Sequence, residues 1–155
     1  LIGALYLTPL DKLMEDLRAT TGIRYQRYMD DYVIFAPTRH KLRKAIKQMY
    51  AVLDDLKVEV HPKKRFIGTT RRGFDFLGYW LEPHRPLTPS QVSLTRLVDR
   101  SRQLHERTAS IKRLRQYIRR WLLWHRSGLR GLTARSSNFK WVWDYVTNRL
   151  EINSS

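Results

Sequence analysis

The sequence predicts an α+β protein: an antiparallel β-hairpin and sheet with packed helices over residues 1–85, then an all-α helical bundle over residues 86–155. Three observations predict this. Two β-favouring runs, 23–28 and 32–36, flank Met29-Asp30-Asp31 with room only for a tight turn. Apolar residues recur at helical spacing in two stretches around that hairpin and in three more after residue 88. Between these groups, Pro83-His84-Arg85-Pro86 is the clearest boundary in the chain.

The elements follow in order. Residues 1–7 are apolar with little polar relief, which suits a buried segment. Thr8-Pro9 reads as an N-cap followed by proline at the first helical position, with Leu10, Leu13, Met14 and Leu17 on one face and Gly22 past the end. After the hairpin, Thr38 caps a helix reaching Asp55, with Leu42, Ile46, Met49, Val52 and Leu53 inward and a basic outer face of Arg39, Lys41, Arg43, Lys44 and Lys47. Residues 57–61 alternate as a strand, 62–65 turn, and 66–68 begin a return strand. Phe74, Phe76, Leu77, Tyr79 and Leu81 form an apolar run in which Gly78 marks a bulge or a close backbone approach. Thr88-Pro89-Ser90-Gln91 has the form of a helix start with Thr88 as cap. Helices are then expected over 89–107, 110–127 (ended by Gly128) and 137–150.

Composition narrows the function. The 155 residues are 42% apolar and 28% charged, which supports a folded core. The absence of cysteine excludes disulfides and thiolate metal sites. No apolar run of transmembrane length and no secretory signal is visible, so no membrane is expected and the expectation is a cytoplasmic protein. The net charge of +16 is concentrated late: residues 86–155 carry 14 Lys and Arg against 4 Asp and Glu. A phosphate-rich partner is the simplest explanation, because lysine and arginine bind by releasing condensed counterions. An anionic membrane surface is the weaker alternative. The five histidines have no ligand spacing, and no zinc site is assigned. The first residue is Leu1 rather than Met, and the chain reads as an excerpt of a longer protein.

Asp30 and Asp31 are the chemically pointed pair. Asp54-Asp55 is the internal control: it ends a helical pattern and reads as a solvated surface. Asp30-Asp31 instead stands between two apolar strands, at a hairpin tip where uncompensated carboxylates are costly. Mg²⁺ suits them, since it binds through one or two carboxylates and completes its shell with water and phosphates. That points to two-metal phosphoryl transfer.

Tyr28-Met29-Asp30-Asp31 between two strands resembles the active-site hairpin of reverse transcriptases. Gly73-Phe74-Asp75-Phe76-Leu77-Gly78-Tyr79 is similar to the segment that follows it in bacterial group II intron-like members. The resemblance covers roughly residues 1–125 and implies the C-terminal part of a polymerase palm over 1–85 and a helical thumb over 86–155. It implies an RNA-directed DNA polymerase with two Mg²⁺ ions (Mn²⁺ as a substitute), an RNA template, a DNA primer and dNTP. Asp30 would be the main ligand of both ions and Asp31 a weaker one. Met29 would lie near the primer end and Tyr28 would buttress the hairpin. Lys64, with Lys63 as alternative, would protonate the leaving pyrophosphate. Leu77, Gly78 and Tyr79 would form the primer grip. On the second late helix, Lys112, Arg115 and Arg119 form a stripe suited to a nucleic-acid backbone. Trp121, Trp124, Trp141 and Trp143 could stack on bases, with core packing the commoner role for most of them. The family's earlier palm aspartate and its fingers have no counterpart before Leu1, so the chain alone is expected to be inactive and to need that upstream part in cis or in trans. The competing expectation is a non-catalytic nucleic-acid-binding remnant of a polymerase.

Overall fold

A computed structural model describes residues 5–61, 65–107, 110–127, 129, 131–134 and 137–152. It is α+β, as the periodicities predict, and divides into two compact units, Leu1–Ile67 and Gly68–Ser155.

The first unit contains α1 (Thr8–Thr21), β1 (Arg24–Tyr28), β2 (Asp31–Phe35) and α2 (Arg39–Asp55). Proline in the first turn and left-handed Gly22 (φ 71°) bracket α1. Thr8 is not its cap. Leu7 occupies that position, and the Thr8 hydroxyl donates to the Leu5 carbonyl at 2.7 Å instead. The Thr38 hydroxyl does cap α2, accepting from the Lys41 N–H. Leu10, Met14 and Leu17 of α1 pack against Ala45, Met49 and Leu53 of α2, with Ile23 buried at the entry to the hairpin. Burial of each large side chain in this cluster contributes about 1.5–3 kcal/mol. Tyr25, Tyr32 and Ile34 lay the inner face of the hairpin on the same cluster.

The strands expected at 57–61 and 66–68 do not form among the described residues. The alternation itself is real: Val58 and Val60 are half-buried against the helical core, while Glu59 and His61 are exposed. Alternation alone does not make a strand, which also needs a ladder of backbone hydrogen bonds to a neighbouring strand. The Val58 N–H instead donates to the Leu53 carbonyl at 2.8 Å.

The second unit opens with a short 3₁₀ turn (Thr70–Arg72) and an antiparallel sheet of β3 (Phe74–Phe76), β4 (Tyr79–Leu81) and β5 (Thr88–Pro89), with β4 central. Gly78 is not a bulge within one strand. With Leu77 it forms the two-residue turn between β3 and β4, and both residues have positive φ, 52° and 80°. That is the requirement of a tight hairpin turn, and it explains glycine at the second position. Three helices follow: α3 (Gln91–Glu106), α4 (Ile111–Arg126) and α5 (Phe139–Leu150). The cap of α3 is Ser90, whose hydroxyl accepts from the Ser93 N–H, because Thr88 and Pro89 are already paired in β5. Ser110 and Asn138 cap α4 and α5 in the same way. Gly128, expected to end α4, lies outside the described residues. Leu97, Val98, Leu114, Ile118, Leu122, Val142 and Val146 form the bundle core. The sheet packs with these helices. Ser90 N–H donates to the Gly78 carbonyl at 2.9 Å, and the Tyr79 hydroxyl donates to the His125 carbonyl at 2.6 Å.

Candidate active-site hairpin

The hairpin is built from a strict strand register. Tyr28 pairs with Asp31 and Arg27 with Tyr32, which leaves Met29 and Asp30 alone as the turn. Asp30 therefore stands at the tip and Asp31 is the first residue of β2. Both are exposed, and among the described residues neither carboxylate is in an ion pair or a side-chain hydrogen bond. Tyr28 and Met29 are 58% and 66% exposed, so the turn carries apolar surface beside the two carboxylates.

Met29 has φ 54°. A left-handed backbone costs a residue with a side chain about 1–2 kcal/mol, and glycine is the residue that avoids it. The strain is held by a network that the sequence did not advertise. Alternation puts Tyr25 and Arg27 on the inner face of β1, toward α1. There Asp11 of α1 accepts from Arg27 Nε at 2.8 Å, from Arg27 Nη2 and from the Tyr25 hydroxyl at 3.0 Å. The remaining guanidinium nitrogen, Nη1, donates to the Met29 carbonyl at 2.9 Å. One arginine thus ties the helix to the strand through a two-point carboxylate contact and braces the strained turn with its third nitrogen. The Arg27 side chain is only 13% exposed, and Asp11 36%.

The same contacts set the local electrostatics. Hydrogen bonding from Arg27 holds the Asp11 carboxyl below its ordinary 3.8. Burial, helped by Asp11, pushes the Tyr25 hydroxyl up. Asp11 also neutralises Arg27, so the cation that braces the turn is already matched. The hairpin presents two carboxylates outward on a braced, strained tip. Their oxygens suit a hard divalent cation. Among the described residues no third His, Cys, Asp or Glu joins them in a cluster able to hold a metal.

The other predicted residues fall in separate places. Lys64 and its alternative Lys63 lie outside the described residues. Leu77, Gly78 and Tyr79 stand together at the β3–β4 turn in the second unit; Leu77 is exposed, and Tyr79 is anchored by its hydroxyl on α4. Lys112, Arg115 and Arg119 are all exposed on α4. Arg115 Cζ lies 5.4 Å from the Trp143 ring centre, and Arg119 Cζ 5.1 Å from that of Phe139. Of the four tryptophans considered for stacking, Trp124 and Trp141 are exposed. Trp143 joins the bundle core, and Trp121 stacks on His125 at 5.0 Å.

His125 escaped the sequence reading. It is 1% exposed, sandwiched between Tyr79 (4.2 Å) and Trp121, and among the described residues neither ring nitrogen has a hydrogen-bond partner. Burial pushes its pKa down to about 4, so the ring is neutral at pH 7.

The family model described as reverse transcriptase (RNA-dependent DNA polymerase) matches residues 3–81, half of the chain, and the chain belongs to that family. The match contains α1, the hairpin, α2 and β3–β4, and ends before the helical bundle. No curated protein and no solved structure matches the chain.

Proposed function

We propose that this chain supplies part of the active site of an RNA-directed DNA polymerase, related to the bacterial group II intron-like enzymes and working in the cytoplasm. Residues 1–85 are read as the C-terminal part of the palm and residues 86–155 as the thumb. The reaction is attack of a primer 3′-hydroxyl on the α-phosphate of a dNTP, copying RNA. The single observation that carries this reading is the exposed Asp30-Asp31 pair on a strained two-residue turn inside the family-matched stretch.

Asp30 and Asp31 are the residues that would hold Mg²⁺, or Mn²⁺ in its place. When bound, such ions stabilise charge on the attacking and leaving oxygens. The chain's own residues do the rest. Arg27 and Asp11 fix the turn, so that the carboxylates meet the phosphates without reorganising. Met29 and Tyr28 pack beside the primer end. Lys64 delivers a proton to the departing pyrophosphate. Leu77, Gly78 and Tyr79 hold the primer, and Lys112, Arg115 and Arg119 follow the phosphate backbone.

Two carboxylates without a third hold a pair of ions poorly, so activity requires an aspartate and a fingers segment supplied from elsewhere in the polymerase. The same shortage among the described residues favours a second reading, a polymerase remnant that binds nucleic acid without chemistry. Mn²⁺ titration followed by NMR tests the metal assignment. Broadening centred on the amides of Met29, Asp30 and Asp31, weakened at least tenfold in apparent affinity by Asp30→Asn, is expected. Broadening that ignores this substitution would contradict it.

A further inference from the structure

We propose that the cleft between α4 and α5 binds an unpaired nucleotide, with its base against Leu123 and Phe139 and its phosphate on Arg115 and Arg119. This rests on the reading of the chain as a nucleic-acid-binding polymerase part and names a ligand class for its helical unit.

The cleft has a volume of about 270 Å³ and is lined by Arg119, Leu122, Leu123 and Phe139. Three apolar walls and one planar guanidinium suit a flat heterocycle, which offers apolar faces and a polar edge. Leu123 is 71% exposed, so an apolar surface stands open to solvent on a helix that is otherwise strongly cationic. The sixteen residues of α4 include six lysines and arginines and no carboxylate. Among the described residues none of these cations is in an ion pair. Arg115 and Arg119 lie over the Phe139 ring at 5.9 and 5.1 Å, which limits their freedom before any ligand arrives. A ligand matching this surface carries an anion and a flat apolar face within one small unit, which describes a nucleotide. The bases of a duplex are stacked away inside it and cannot enter, so the occupant is single-stranded.

The test measures binding of the whole chain to a blunt RNA–DNA duplex and to a single-stranded 12-mer by fluorescence anisotropy, at one salt concentration. Leu123→Gln, a neutral change at an exposed position, should lower the ratio of single-strand to duplex affinity about tenfold, the effect of losing one apolar wall against the base. On the unaltered chain, a 5-iodouracil-substituted 12-mer should photocrosslink at Phe139. An unchanged ratio, or crosslinks at Trp124 or Trp141 in place of Phe139, would overturn the proposal while duplex binding kept the functional reading intact. Absence of any nucleic-acid binding would sink both. Sedimentation of the chain alone as a dimer that Leu123→Gln dissociates would assign the cleft to a second copy and overturn the proposal.

Discussion

Replacing Asp11 by asparagine should loosen the hairpin from α1 and release the turn that carries Asp30. Asp11 accepts both Arg27 contacts and the Tyr25 hydroxyl, and Arg27 is mostly withdrawn from water. Asparagine keeps the shape but loses the charge and turns an amide NH₂ toward a donor. Hydrogen bonds to charged groups contribute about 1.5–3 kcal/mol each. Asp11 is more than a third exposed, so solvent screening argues for the low end, about 1.5–2 kcal/mol for the whole contact. Urea unfolding of Asp11→Asn, Arg27→Gln and the double variant measures this. It should be followed by far-UV circular dichroism, because all five tryptophans lie from Trp80 onward and report on the second unit. Each single variant should lose stability by that amount, and the double variant little more, a coupling of about 1 kcal/mol or above. Proton exchange at the Met29 and Asp30 amides should quicken in step. Losses that simply add would refute the account of the brace. The pH dependence has a defined sign. The folded carboxyl binds its proton less readily than the unfolded one, whose ordinary value is 3.8. The contact's stabilisation is therefore full above that value and lost as pH falls below it, and Asp11→Asn should erase this component.

Three further outcomes are expected. Lowering pH from 6.5 to about 4 protonates His125 in the unfolded chain before the folded one, so the second unit should lose about 3 kcal/mol, read by tryptophan fluorescence in urea. His125→Phe should remove that slope and keep the ring stack; a slope that survives would refute the assignment. Gly73→Ala should cost about 2–3 kcal/mol, since φ is +67° and the new Cβ would come within 2.5 Å of the Trp80 ring; a neutral result in the same assay would mean that Trp80 moves aside. Met29→Gly should stabilise the first unit by about 0.5–1 kcal/mol, the relieved strain less glycine's entropy. Destabilisation seen by circular dichroism would refute the strain.

Much of this fold was legible because its elements are locally consistent. α1 and α2 carry apolar faces at helical spacing, Gly22 and Thr38 mark ends, and the hairpin is written by two β-rich runs around a turn. Errors arose where pairing partners decide. Residues 57–61 alternate correctly but form no strand among the described residues, and Thr88 looks like a cap until β4 takes it into the sheet. The exposed Asp30-Asp31 turn was readable from neighbours in sequence. The brace was not, because Asp11 lies 16 residues from Arg27 and reads as one more acid on a solvated helix face. His125 did carry a signal, since it continues the buried face of Leu114, Ile118 and Leu122 at helical spacing, but its stacking between Tyr79 and Trp121 shows only in the packing.

The central claim, that this hairpin is one part of a polymerase site, is tested most directly by primer extension on an RNA template with Mg²⁺. The chain is assayed alone and mixed with a separately made fragment carrying the fingers and the earlier palm aspartate, each with an Asp30→Asn control. Synthesis only on mixing, abolished by Asp30→Asn, is the predicted result. Synthesis by the chain alone would contradict the incomplete site. No synthesis in any mixture, with salt-sensitive nucleic-acid binding retained, would contradict catalysis and leave the binding remnant as the correct reading.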